Sequence, residues 1–206
     1  MMRSKLHINQ FYRQTKRGHV LRALALDDVS FWGADRLISV IFALFIVTNI
    51  TGGSATHVGI ALMIRQLVIA FLSVPIGRLL DRHKGYVDEV YFLAFSGILA
   101  GVSYIFLGFA DALWQVYILM ACIGVAHTFN LDTWRVLFYG LIKKGEQGET
   151  TGIYQTIMSI TGALILFIGG IVADRYGYSA IMWIGAVMTI IAGIIPLSIK
   201  HLVPKK

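Results

Sequence analysis

The sequence predicts an all-α integral membrane protein: six transmembrane helices arranged as two inverted three-helix repeats. Three observations carry this. Of the 206 residues, 57% are hydrophobic and only 14% are charged, against about 25% charged in soluble domains. A soluble chain could not cover its surface with so few charges, and the mean hydropathy is +0.72. Six apolar runs each approach or exceed the ~20 residues that cross a bilayer. Finally, "GRLLDRHKGY" (77–86) is echoed by "GGIVADRYGY" (169–178) at two joints between runs.

Residues 1–26 are polar and basic and lack the apolar core and small-residue cleavage site of a signal peptide. They read as a cytoplasmic tail or an interfacial basic helix. The spans follow at 29–50, 58–79, 87–109, 113–142, 152–173 and 180–199, and residues 201–206 form a second tail. Each span is expected to be a helix, because backbone groups in lipid must be satisfied within the segment. The joints "TGGSAT", "DRHKG", "ADA", "KKGEQGET" and "DRYGYS" are turn-like. No composition shift divides the chain, so residues 27–200 read as one bundle. Asp27 and Asp28 are read as capping the start of the first span, where acids suit the helix dipole. Cys122 lies inside an apolar run and reads as a small core residue.

Lys and Arg orient the bundle. With the N-terminus in the cytoplasm, one side collects Arg3, Lys5, Arg13, Lys16, Arg17, Arg22, Arg78, Arg82, Lys84, Lys143, Lys144, Lys200, Lys205 and Lys206. The other side holds Arg175, and Arg36, Arg65 and Arg135 fall inside spans. By the positive-inside rule both termini are expected in the cytoplasm, with the protein in the cytoplasmic membrane. The net charge of +7 is thereby a topology signal in short loops, and no nucleic-acid motif accompanies it. The two Asp-Arg joints, at Asp81 and Asp174, are then three spans apart on opposite sides. Two units of three spans each must run in opposite directions, an architecture frequent in secondary transporters.

"GRLLDRHKG" resembles the loop of the major facilitator superfamily that follows the pattern Gly-x-Leu-Ala-Asp-Arg-x-Gly between the second and third helices. Gly77, Leu79, Asp81, Arg82 and Gly85 match, with one extra residue before Gly85. "GGIVADRYGY" with "SAIMWIG" is similar to the family's joint between helices five and six. The resemblance implies a transporter fold of which this chain supplies one six-helix bundle where the family uses two. It also implies that Asp81 caps a neighbouring helix and pairs with an arginine as a cytoplasmic gate. Gly77 and Gly85 are expected to allow close approach or positive φ. Two features depart from the family: Ile118 stands where the fourth helix often has Arg, and "GALILFIGG" lacks the proline of the antiporter motif. Both weigh against a proton-driven drug antiporter.

Ionisable groups inside spans cost about 2.5–3.5 kcal/mol each on insertion scales and are candidates for function. Asp35 and Arg36 are adjacent and cannot face each other, so each needs a partner elsewhere. Arg65 sits mid-span. His127, Asn130, Asp132 and Arg135 form the densest polar group, and Asp132 and Arg135, three residues apart, share a face. One reading has these seven residues lining a central cavity, where Asp35 or Asp132 binds a proton or cation and an Arg holds an anionic solute. The other has them as ion pairs that fix helix packing. The tryptophans read as interface anchors or gap fillers.

The expected function is secondary transport of a small solute by alternating access, acting with a second bundle: a parallel homodimer, a separate six-helix chain, or the rest of a longer protein of which this is a fragment. The alternative is an accessory half that moves nothing. Membrane lipid is the surrounding partner, and neither cofactor nor metal is expected. An enzyme is not expected. The nearest match to an intramembrane serine-protease motif is "AFSGI", with Ala94 in place of glycine, and neither His-Glu-x-x-His nor a phosphate-binding glycine loop occurs.

Overall fold

The computed structural model describes residues 15–82 and 85–203. Most of the expected tails, and His83 and Lys84 of the first joint, lie outside the described residues. Six helices follow in order: α1 (Lys16–Asn49), α2 (Ala55–Arg82), α3 (Val87–Gly108), α4 (Leu113–Leu141), α5 (Gln147–Tyr176) and α6 (Tyr178–Ser198). All six are long and apolar enough to cross a membrane, and no strand occurs among the described residues.

The helix ends follow from local chemistry. Thr15 caps α1, its hydroxyl accepting from the Gly18 amide at 3.2 Å. Asp88 and Glu89 stand in the first turn of α3, and Arg82 and Arg175 in the last turns of α2 and α5, each charge suiting its end of the helix dipole. At α4 the Gln115 side chain reaches back to accept from the Asp111 amide at 3.0 Å. The two echoing joints each turn on a glycine with positive φ, Gly85 at 139° and Gly177 at 80°, a backbone that side-chain-bearing residues rarely adopt.

The start of α1 corrects one expectation. Asp27 and Asp28 do not cap a helix; they lie three turns inside one, both buried. The segment before them carries Val20, Leu21 and Leu24, which join an apolar cluster with Val90, Leu93, Leu137 and Phe138. That packing extends the helix back to Thr15. At 1.5 Å per residue the 34 residues of α1 span about 51 Å, well beyond the ~30 Å hydrocarbon core.

α3 runs along α6, α1 packs on α6 and α5, and α4 packs on α3 and α2. Exchanging α1–α3 for α4–α6 maps most of these contacts onto one another, which is consistent with an inverted repeat. The α3–α6 crossing is close because it is built on glycine: a Cβ at Gly97 would sit 2.6 Å from the Thr189 carbonyl oxygen, and one at Gly193 would sit 2.8 Å from that of Ala94. Small residues of this kind let membrane helices approach.

The core divides into two apolar clusters at opposite ends of the bundle. One joins the start of α1 and α3 with the end of α4 and α6; the other joins the opposite halves of the same helices. Between them, buried polar residues form a layer: Asp27 and Asp28 on α1, Ser96 on α3, and His127, Thr128 and Asn130 on α4. α2 and α5 are the least covered helices; in α2 only Ala61, Ile76 and Leu80 are buried.

Candidate functional site

Two distinct polar sites draw on this layer, through His127 and Asp28. The first gathers four helices on one carboxylate. Arg65 of α2 donates through Nη1 to Asp35 Oδ1 at 2.8 Å. The Tyr104 hydroxyl of α3 lies 3.4 Å from the same oxygen, and His127 Nε2 of α4 lies 3.6 Å away. The His127 ring is enclosed by Phe31 and Trp32, with centroids 5.5 Å and 5.1 Å distant. The cleft beside this cluster holds only about 20 Å³, on the order of a single water. It is therefore a lock between helices and has no room for a solute.

The second site is a cavity of about 300 Å³ between α1, α4 and α5. Asp28, Trp32 and Arg36 come from α1, Trp134, Arg135 and Tyr139 from α4, and Tyr154 and Gln155 from α5. The Tyr154 hydroxyl donates to Asp28 Oδ2, and Arg36 donates through Nη1 to the Met158 carbonyl at 2.8 Å. Trp134 stacks on Phe138 with centroids 4.4 Å apart, while its indole N–H donates to the Leu24 carbonyl at 3.1 Å. Other grooves, beside Trp114 and beside Trp183, carry no charged lining residue.

The structure thus separates residues that the sequence grouped. Asp35, Arg65 and His127 form the lock. Arg36 and Arg135 face the cavity. Asp132 stands 4.0 Å from Arg135 but does not line the cavity; its carboxylate interacts with Ser73 of α2. Asn130 turns the other way, its amide 3.5 Å from the Ser96 hydroxyl on α3. Gly77, Leu79, Asp81, Arg82 and Gly85 line neither site; Asp81 and Arg82 are exposed at the end of α2. Among the described residues Asp81 makes no ion pair, and a Cβ at Gly77 would meet nothing within 4 Å.

Sequence reasoning missed Asp28, Trp32, Tyr104, Tyr139, Tyr154 and Gln155. For three of the cavity residues a signal existed: Asp28, Trp32 and Arg36 recur every fourth position and so form one helical stripe.

Asp27 belongs to neither site. It is 1% exposed, and neither carboxylate oxygen has a hydrogen-bond partner among the described residues. A buried, unpartnered carboxylate costs several kcal/mol when ionised.

Comparison with known proteins agrees with this architecture. The chain is 26% identical over 158 residues to the uncharacterized MFS-type transporter YitZ of Bacillus subtilis, covering 76% of this chain and 93% of that protein. It is 26% identical over 129 residues to the proton-coupled antiporter flippase LtaA of Staphylococcus haemolyticus, covering 62% of this chain and 32% of that protein. It is 32% identical over 140 residues to the multidrug resistance protein MdtG of Proteus mirabilis, covering 68% of this chain and 33% of that protein. The match therefore spans nearly all of YitZ and about a third of the other two. These relatives point to a transporter and not an enzyme. Residues 29–206 match the Major Facilitator Superfamily, and with six membrane-spanning helices the chain is an integral membrane protein that belongs to that superfamily.

Proposed function

We propose that this chain is one bundle of a secondary transporter that moves a small solute by alternating access, with a second six-helix bundle completing the path. The second bundle is another copy lying parallel, a separate chain, or a further stretch of a longer polypeptide. The observation that carries this reading is a polar exposed surface inside apolar spans. Ser39, Gln66, Arg135, Gln155 and Ser159 are all exposed, and Arg135 is 57% exposed. Lipid does not suit these groups; a charged residue alone costs about 2.5–3.5 kcal/mol there. A water-filled path shared with a second bundle does. The sparse burial of α2 and α5 supports placing that bundle against them.

A contact pattern consistent with an inverted repeat supports rocking of the two bundles about a site between them. The Lys and Arg bias supports both termini in the cytoplasm. On that orientation exposed Asp81 would face the cytoplasm, where it engages the second bundle as a gate. Two relatives bear antiport and multidrug resistance in their names, which supports transport and leaves the solute open.

The test is flux in proteoliposomes across a panel of solutes. Wild type is expected to exchange at least one, and Asp132→Ala and Arg135→Ala are each expected to reduce that flux at least tenfold. Folded protein that moves nothing across the panel would replace transport with the accessory-half reading.

A further inference from the structure

We propose that the α1–α4–α5 cavity binds an organic monoanion with a flat apolar body, its anionic group held by Arg135 and its body laid against Tyr139 and Tyr154. As a statement about transported solute this rests on the transport reading; as a binding site it does not.

The argument begins with which charges are already used. The Asp28 carboxylate is 2% exposed and accepts from the Tyr154 hydroxyl. Arg36 donates to the Met158 carbonyl at 2.8 Å and interacts electrostatically with Asp28. Asp28 Oδ1 has no hydrogen-bond partner among the described residues, but the lining sets two guanidiniums, Arg36 and Arg135, against this one carboxylate, so its net charge is positive. Arg135 is different. It is 57% exposed, its nearest carboxylate is Asp132 at 4.0 Å, and it donates no hydrogen bond among the described residues. A guanidinium offers five donors in a planar fork, matched to carboxylate or phosphate in two parallel bonds. The free capacity of the cavity is therefore cationic, and it selects an anion over a cation.

The walls select the rest of the ligand. The Trp134 ring is stacked on Phe138 at 16° and lies 4.8 Å from Tyr154. At 5% exposed, Trp134 backs the wall, and the open ring beside it is Tyr139, which is 57% exposed and lines the cavity. Aromatic faces held this way favour flat apolar groups. A volume of about 300 Å³ is at the lower end for small-molecule sites and suits a one- or two-ring solute. A lipid headgroup presents the same anionic chemistry, so the experiment separates the two sources.

The full chain is reconstituted in phosphatidylcholine nanodiscs and titrated with 1-naphthoate and with the cationic analogue 1-naphthylmethylammonium, reading tryptophan fluorescence. Naphthoate is expected to quench saturably and to bind at least tenfold tighter than the amine. Arg135→Gln is expected to weaken naphthoate at least tenfold at an unchanged unfolding temperature, and Arg135→Lys to weaken it less. Equal binding of the two probes, or naphthoate binding unaffected by Arg135→Gln, overturns the proposal. Displacement of naphthoate by phosphatidylglycerol in an Arg135-dependent manner assigns the site to a lipid headgroup and overturns the soluble-solute reading. Flux without naphthoate binding removes this site and leaves transport standing; Arg135-dependent binding without flux does the reverse.

Discussion

Arg65→Ala is expected to lower the unfolding temperature in detergent by about 10 °C and to abolish flux. The Asp35 and Arg65 side chains are 16% and 18% exposed, and the pair sits midway along apolar helices. Removing the arginine leaves the carboxylate with only the Tyr104 hydroxyl at 3.4 Å and His127 at 3.6 Å. Neither replaces a charged donor at 2.8 Å. Breaking one side of a buried ion pair costs about 3–5 kcal/mol, because the remaining charge has no compensation, whereas replacing both partners is often close to neutral. At ~2–4 °C per kcal/mol this yields the expected shift. The control is the double variant Asp35→Asn with Arg65→Gln, which keeps both shapes and removes both charges. It is expected to recover most of the lost stability while remaining inactive. If Arg65→Ala unfolds at the wild-type temperature, the pair does not hold the four helices together. If the double variant is no more stable than the single, the loss comes from packing and not from an orphaned charge.

That pair also shows how far the sequence reached. Adjacency on a helix excluded contact between Asp35 and Arg36 and required separate partners, and the partners are indeed separate: Arg65, 30 residues on, and the Met158 carbonyl, 122 residues on. Which partners they are depends on how α1 sits against α2 and α5, and no local pattern encodes that. Asp132 and Arg135 were legible because a spacing of three places them on one face, and they stand 4.0 Å apart. The spans were legible because a bilayer imposes a length; their ends agree with the helices to within a few residues except at α1. There the apolar window begins late, while the helix continues back as long as Val20, Leu21 and Leu24 find a core to pack on. Asp28 was misread for the same reason: a carboxylate at the edge of an apolar run looks like a cap until the helix is seen to start at Lys16.

The hold of α1 on α5 yields the second large effect. α5 buries little of itself, and it rests on α1 through two glycines seven residues apart. The Arg36 side chain lies over Gly162 and the Leu37 side chain over Gly169. A Cβ at position 162 would stand 3.1 Å from Arg36 Cζ and 3.4 Å from its Cδ, and the two methyl groups of valine need more room still. The guanidinium must then leave the Met158 carbonyl, one turn away on the same face of α5. A hydrogen bond from a charged donor is worth about 1.5–3 kcal/mol, and overpacking adds about 1–3 kcal/mol. Tyr154 and Gln155 line the cavity two turns before Gly162, so pushing α5 outward deforms the cavity wall. Gly162→Val is therefore expected to lower the unfolding temperature by about 10 °C, at ~2–4 °C per kcal/mol, and to reduce flux at least tenfold. The mechanism predicts non-additivity, since both effects pass through one side chain. In an Arg36→Ala background the space above Gly162 is open, and the same valine should cost less than half as much stability. If instead the two substitutions add, Arg36 is not what the missing side chain makes room for, and Leu37 over Gly169 is left as the contact that seats α5 on α1.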